Sequence, residues 1–223
     1  MKNSIIHIYF VPGLAASSKI FEFLQFSEVN FKLHFLEWLI PLSEHESIQD
    51  YSRRMADLIT ESNPVIVGVS FGGIIAQEMS KYLNPKKVII ISSVKTSNEL
   101  PKRLKIVQKT KVYKLFPTKV ITNIEEFTMY AFGEKAKNKV ELYKKYLSVR
   151  NSTYLNWAIY NVLHWHQTKP IENLLHIHGT EDNIFPIKHI KNCIEIKNGT
   201  HVMILNKAKT ISKIISDSLL LLK

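Results

Sequence analysis

Short apolar runs alternate with amphipathic stretches along much of the chain. Six runs are short and rich in β-branched or aromatic residues, which is typical of buried strands. They comprise Ile5 to Val11, Lys32 to Leu36, Val65 to Val69, Lys87 to Ser92, Leu174 to Ile177 and Cys193 to Ile196. Because helical stretches separate most of them, the pattern predicts an α/β fold with parallel pairing and right-handed crossovers.

The helical stretches have recognisable starts. Ser17 or Ser18 can cap a short helix that continues to Phe26. The segment Ser47 to Asp50 is a capping-box signature, and apolar residues follow it at helical spacing, namely Tyr51, Met55, Leu58 and Ile59. Two more helices are predicted, from Ile74 to Leu83 and, at the end of the chain, from Ala208 to Leu222.

The alternation stops in the middle of the sequence. No buried strand is evident from about Asn98 to Trp165, and aromatic residues recur there at mainly helical intervals. The pattern predicts a helical lid over residues 95–165, inserted in a core of residues 1–94 and 166–223. Lid aromatics either line a substrate pocket or pack the lid onto the sheet. The candidates for the pocket are Phe132, Trp157 and Trp165.

The segment Gly68-Val69-Ser70-Phe71-Gly72 carries the strongest chemical signal. It lies between a predicted strand and a predicted helix, which is the layout of a nucleophile elbow. Such a turn is so tight that side chains at 68 and 72 would collide, and it projects the serine hydroxyl from the top of the sheet. The helix that follows directs its positive N-terminal dipole at developing negative charge.

A serine hydroxyl needs a base, and the base needs a group that orients it. Two loops that follow predicted strands provide candidates. One loop carries Glu181 and Asp182, and the other carries His201 after Gly199-Thr200. The order serine, acid, histidine along the chain is the one expected for this type of elbow.

These segments, together with Phe10-Val11-Pro12-Gly13-Leu14, resemble the α/β-hydrolase superfamily over nearly the full length. The resemblance implies helices on both faces of a mostly parallel sheet and a lid at the position predicted above. It implies that Ser70 is the nucleophile, His201 the general base and acid, and Asp182, rather than Glu181, the orienting carboxylate. The backbone N–H groups of Phe71 and of Leu14, or alternatively Ala15, would form the oxyanion hole.

Two departures from the family pattern are visible. The oxyanion loop reads Pro12-Gly13 where the family often has His-Gly. The usual antiparallel strand pair before the oxyanion strand is missing, which predicts a trimmed sheet of about six strands.

The resemblance implies a serine hydrolase that cleaves a small carboxylic ester or thioester without a cofactor. Amidase and cofactor-free C–C hydrolase chemistry use the same triad and remain open. Two other classes are a non-catalytic ligand-binding protein on the same fold and a peripheral lipase acting at anionic membranes.

Composition bears on the partners and the cellular compartment of the protein. The net charge is +11, and residues 95–150 hold fourteen Lys or Arg against five Glu. This imbalance indicates either an anionic acyl substrate or lipid surface, or a solvated lysine-rich face. No basic-aromatic module for nucleic acid is present, and no run is long enough to span a membrane.

A single cysteine, Cys193, fits a reducing cytoplasm, and a signal peptide is not expected because His7 and Pro12 interrupt the apolar N-terminus.

Histidine pairs raise the question of a metal. His176 and His178 share one strand face, and His164 and His166 lie two residues apart. Since no carboxylate or cysteine accompanies either pair at a matching spacing, we expect no metal site.

Overall fold

A computed structural model describes residues 5–110 and 145–221, and they contain a six-stranded sheet. The strands are β1 (Ile6–Val11), β2 (Phe31–Phe35), β3 (Val65–Val69), β4 (Lys87–Ile91), β5 (Leu174–Gly179) and β6 (Ile194–Ile196). Their order in the sheet is β2-β1-β3-β4-β5-β6, and all five pairings are parallel. The predicted parallel sheet of about six strands is confirmed.

Six α-helices occur in the described residues. They are α1 (Ile48–Ala56), α2 (Phe71–Met79), α3 (Lys102–Thr110), α4 (Ser152–His164), α5 (Met203–Asn206) and α6 (Ala208–Leu220). Short 3₁₀ turns add Ser18–Phe21, Ser97–Glu99 and Ile187–His189. None of the helices in residues 5–110 and 145–221 has both the length and the apolar character needed to cross a membrane.

The two faces of the sheet bury two separate apolar clusters. Side chains of successive strand residues point to opposite faces, so Tyr9 and Ile66 pack with α1, α2 and α4, whereas Phe10 and Val67 pack with α6. Helices therefore cover both faces, as predicted.

Helix boundaries differ from the sequence pattern at both ends of α2 and after Ser17. α2 ends at Met79 rather than Leu83. α2 begins at Phe71 rather than Ile74, because Ser70 is its N-cap and the chain turns into the helix immediately after the strained serine. The helix expected to continue to Phe26 is a single 3₁₀ turn, Ser18–Phe21. The N–H of Gln25 donates instead to the Ser212 hydroxyl on α6 at 2.9 Å, so the chain leaves the helical path to pack on that helix.

Between β4 and β5 the described residues form α3 and α4 and no strand. Residues 111–144 of the predicted lid lie outside the described residues. Where the insertion leaves and rejoins the core, its ends are joined to each other. The Ser97 N–H donates to the Gln167 carbonyl at 2.8 Å, and the Gln167 amide donates to the Lys95 carbonyl and to Gln77 Oε1 on α2, both at 2.9 Å.

Candidate active site

Ser70 lies at the turn between β3 and α2, in the left-handed half of backbone space. Its φ and ψ are 54° and −120°, a conformation that costs about 1–3 kcal/mol for a residue with a side chain. The cost is offset by fixed backbone contacts. The Ser70 N–H donates to the Ile91 carbonyl at 2.9 Å, and the Ser93 hydroxyl donates to the Ser70 carbonyl at 2.7 Å. Strand β4 and the residues after it therefore hold the serine in place.

The glycines of the elbow are required by close backbone contacts. A Cβ on Gly68 would lie 2.1 Å from the Gly72 carbonyl oxygen. A Cβ on Gly72 would lie 2.1 Å from the Pro12 carbonyl oxygen. Gly68 is thus needed for the turn itself. Gly72 is needed for a contact that the motif alone does not indicate, because it lets α2 press against the loop after β1.

His201 is brought to Ser70 by the loop after β6. The Ser70 hydroxyl and His201 Nε2 are 2.9 Å apart. The loop lies close to the end of β5, because the Glu181 N–H donates to the Gly199 carbonyl at 2.8 Å and a Cβ on Gly179 would lie 2.2 Å from that same oxygen. The Phe185 ring packs edge-on against the imidazole, with centroids 5.5 Å apart.

Asp182, on the loop after β5, is the carboxylate that contacts His201. Its Oδ2 accepts from His201 Nδ1 at 2.9 Å, which leaves Nε2 as the acceptor for the serine hydroxyl. Its Oδ1 accepts from the backbone N–H groups of Ile184 and Phe185 at 2.8 and 2.9 Å. The competing side chain of Glu181 is exposed and forms neither a hydrogen bond nor an ion pair with His201. The structure therefore brings Ser70, His201 and Asp182 together.

The charge of Asp182 is stabilised despite its burial. The residue is 3% exposed, and burial by itself would raise the pKa of its carboxyl. The charge and hydrogen bond of His201, together with the Phe185 N–H, outweigh burial and lower that pKa below its ordinary value. The side chain is consequently a carboxylate at neutral pH, ready to accept from the imidazole.

A second buried histidine pair lies behind Asp182. His178 Nε2 donates to the Phe185 carbonyl at 2.8 Å and lies 3.5 Å from Asp182 Oδ2. His176 Nε2 lies 3.1 Å from His178 Nδ1. Burial lowers the pKa of both imidazoles, so both are neutral at neutral pH. In residues 5–110 and 145–221 no three metal-ligating side chains cluster.

Two backbone N–H groups beside Ser70 have no acceptor among the described residues. One belongs to Phe71, the first residue of α2, and the other to Leu14 in the loop after β1. This loop lies against the serine, since a Cβ on Gly13 would be 3.6 Å from Ser70 Cβ. The N–H of Ala15, the alternative donor, likewise has no backbone acceptor among the described residues. An oxyanion hole uses backbone donors of this kind.

The three residues predicted to line a substrate pocket lie in different surroundings. Phe132 lies outside the described residues. Trp157 is buried against Tyr51, and its indole N–H donates to the Glu46 carbonyl at 2.8 Å. The Trp165 indole N–H donates to the buried Glu78 carboxylate on α2 at 2.8 Å. Both tryptophans are thus held in core packing, and their contact with a substrate stays a prediction.

Sequence reasoning missed three residues near the site. Ser93 and Trp38 bond backbone atoms of the elbow and the loop after β1, and Arg103 on α3 bonds the carbonyls of Asn183 and Ile184 beside Asp182. Only Ser93 had a local signal, as a small polar residue directly after a buried strand. The other two contacts join segments distant in sequence.

No protein-family model matches the sequence, and no curated protein matches it. Solved structures, in contrast, match it over almost its whole length. A hydrolase from Pseudomonas aeruginosa superposes with a TM-score of 0.70 at 14% identity, covering 96% of this chain and 90% of that one. A thermophilic esterase from Thermogutta terrifontis, with malate bound, superposes with a TM-score of 0.69 at 14% identity, covering 99% and 92%.

An α/β hydrolase fold protein from Burkholderia ambifaria superposes with a TM-score of 0.67 at 11% identity, covering 96% of this chain and 91% of that one. At such low identity the likeness establishes shared architecture rather than shared activity. The strand order and the helices on both faces agree with it. The chain therefore has the α/β-hydrolase fold.

Proposed function

We propose that the protein is a serine hydrolase that cleaves a small carboxylic ester or thioester through an acyl-enzyme on Ser70. The observation that carries the proposal is the unbroken chain of contacts from Ser70 Oγ to His201 to Asp182, each 2.9 Å long. In this chain every group has a partner suited to proton transfer, and the acid is buried and charged.

The geometry supports a specific sequence of steps. His201 Nε2 takes the proton of the Ser70 hydroxyl as the oxygen attacks the acyl carbon. Asp182 holds the Nδ1–H tautomer and stabilises the imidazolium that forms. The imidazolium then protonates the leaving group, and water attacks the acyl-enzyme with His201 again as the base.

The negative charge on the carbonyl oxygen needs fixed donors. The N–H groups of Phe71 and Leu14 supply them in this proposal, and α2 adds the positive end of its dipole at the same position. Loss of one such donor costs roughly 100- to 1000-fold in kcat. Because hydrogen bonds to Ile91 and Ser93 hold the strained serine, its position is set before substrate binds.

The structural neighbours are consistent with this chemistry. They include the esterase and the hydrolase described above, and this chain shares their architecture. The basic residues of α3, namely Lys102, Arg103, Lys105 and Lys109, lie on the insertion. Arg103 bonds carbonyls of the acid loop, so positive charge lies beside the site, and we expect an anionic acyl substrate to be preferred.

A fluorophosphonate probe and a panel of chromogenic esters and thioesters test the proposal. Wild-type protein should be labelled and turn over at least one member of the panel, while a folded Ser70→Ala variant should do neither. A folded wild type that is neither labelled nor active would indicate a ligand-binding protein instead. Salt-sensitive binding to anionic vesicles, with activity only on vesicle-borne substrate, would indicate a peripheral lipase.

A further inference from the structure

Trp38 is a buried residue that contacts both parts of the proposed oxyanion hole. It follows β2 and is 8% exposed. Its indole N–H donates to the Gly13 carbonyl at 3.1 Å. Its ring stacks on the Phe71 ring, with centroids 5.5 Å apart and planes 27° apart. One side chain therefore lies between the loop after β1 and the first residue of α2.

The bond to Gly13 fixes the direction of the Leu14 N–H. The Gly13 carbonyl and the Leu14 N–H belong to one peptide unit, and no described peptide bond is cis. In a planar trans peptide these two groups point in opposite directions. Because the indole holds the carbonyl on the core side, the Leu14 N–H points to the opposite side of this peptide unit.

The same carbonyl takes part in a tight turn. It also accepts from the Ala16 N–H at 3.0 Å, and Ala15 within the turn has a φ of 62°. A positive φ at the third position of a four-residue turn is characteristic of type II turns. The Trp38 indole is a second donor to the Gly13 carbonyl from outside the turn, and it therefore adds a restraint on the peptide unit between Gly13 and Leu14.

We propose that Trp38 is the positioning residue of the oxyanion hole, fixing the Leu14 donor by its hydrogen bond and the Phe71 donor by its ring. This inference rests on the proposed function. Trp38 acts through these two residues and touches no reacting atom, so its removal should affect the transition state rather than substrate affinity.

Trp38→Phe is a suitable perturbation. It keeps an aromatic ring against Phe71 and removes only the N–H donor and part of the ring. The Gly13 carbonyl keeps the Ala16 N–H as a partner, so no buried acceptor is left without a hydrogen bond. Tyr51→Phe is the matched control, because it removes a comparable donor to a backbone carbonyl, that of Leu39 at 2.9 Å, in the same apolar cluster.

Steady-state kinetics on the best ester of the panel provide the first readout. For Trp38→Phe we expect kcat to fall by about 10- to 100-fold, less than for complete loss of a donor, with KM within about threefold of wild type. Tyr51→Phe should retain wild-type kcat. A Trp38→Phe variant with kcat within about twofold of wild type would overturn the proposal.

A trifluoromethyl ketone with a ¹³C-labelled carbonyl provides the second readout. Its adduct with Ser70 is a hemiketal whose oxygen occupies the oxyanion hole, and NMR reports the pKa of that oxygen. This pKa should be higher in Trp38→Phe than in wild type, while the downfield proton between His201 and Asp182 stays unchanged. If the downfield proton signal disappears and both kcat and thermal stability fall in Trp38→Phe, Trp38 has a general structural role and the inference is refuted.

An isosteric variant covers the case in which Trp38→Phe folds poorly. Benzothienylalanine, introduced at position 38 by stop-codon suppression, keeps the bicyclic shape and lacks only the N–H donor. It should reproduce the loss of kcat, and wild-type kcat would overturn the inference. A wild type that forms no Ser70 adduct and hydrolyses no ester would instead refute the proposed function, and the role of Trp38 with it.

Discussion

The buried imidazole of His176 should make the fold sensitive to mild acid. The side chain is 2% exposed on β5, and its Nε2 lies 3.1 Å from His178 Nδ1. Burial, followed by the nearby His178 and Lys95, lowers the pKa of His176 from about 6.5 to about 2. The folded state therefore rejects a proton that the unfolded chain accepts. Stability is complete above the unfolded pKa and declines as the pH falls below it.

The size of the effect follows from the two pKa values. At about pH 5, proton binding to this histidine in the unfolded chain shifts the folding equilibrium toward the unfolded state by about thirtyfold. This shift corresponds to a loss of about 2 kcal/mol of unfolding free energy. Because the folded pKa is far below pH 5, this figure depends almost entirely on the unfolded pKa of about 6.5. His178, whose pKa is also lowered by burial, contributes to the same decline.

Urea denaturation of a His176→Gln variant measures the contribution. The glutamine amide can still donate to His178 Nδ1, and it does not titrate. The decrease in unfolding free energy between about pH 7.5 and about pH 5 should be smaller than in wild type by about 2 kcal/mol. His166→Gln, at an exposed position, is the control and should show the wild-type decrease. An equal decrease in wild type and His176→Gln would refute the reasoning.

Three other predictions concern the site. Asp182→Asn should remain folded but lose roughly 10⁴-fold in kcat in an ester assay, since the amide orients the wrong tautomer of His201. Glu181→Gln should have a kcat close to wild type in the same assay. The reverse result would identify Glu181 as the orienting carboxylate. Gly68→Ala should be severely destabilised or insoluble in denaturation and expression tests, because its Cβ would lie 2.1 Å from a backbone oxygen, and a stable variant would contradict this. Raising salt should reduce kcat/KM for anionic esters more than for neutral esters if α3 attracts the substrate, and equal salt dependence would argue against that attraction.

The strand framework could be predicted from sequence because each strand is encoded locally. The runs at Val65–Val69 and Lys87–Ile91 are apolar at almost every position, as expected for strands buried on both faces. Ser47 likewise caps α1 as predicted, and its hydroxyl accepts from the Asp50 N–H. Parallel order then places the ends of β3, β5 and β6 at one edge, which brings their loops together.

Other features depend on contacts that no local pattern encodes. The 3₁₀ turn at Ser18–Phe21 is cut short by packing on α6, almost two hundred residues away in the chain. The bond of Trp38 to Gly13 and that of Ser93 to Ser70 likewise require the assembled sheet. A motif indicates which side chains perform chemistry, but not which distant residues hold the backbone around them.

The hydrogen bonds that join the two ends of the insertion affect how the protein tolerates changes in the length of that segment. Gln167 links Lys95, Ser97 and Gln77 of α2 at the point where the insertion leaves and rejoins the core. Because these hydrogen bonds close the base of the insertion, a longer chain between its two ends adds an entropic cost that grows only slowly. We therefore expect residues 111–144 to tolerate changes in length without displacement of α2.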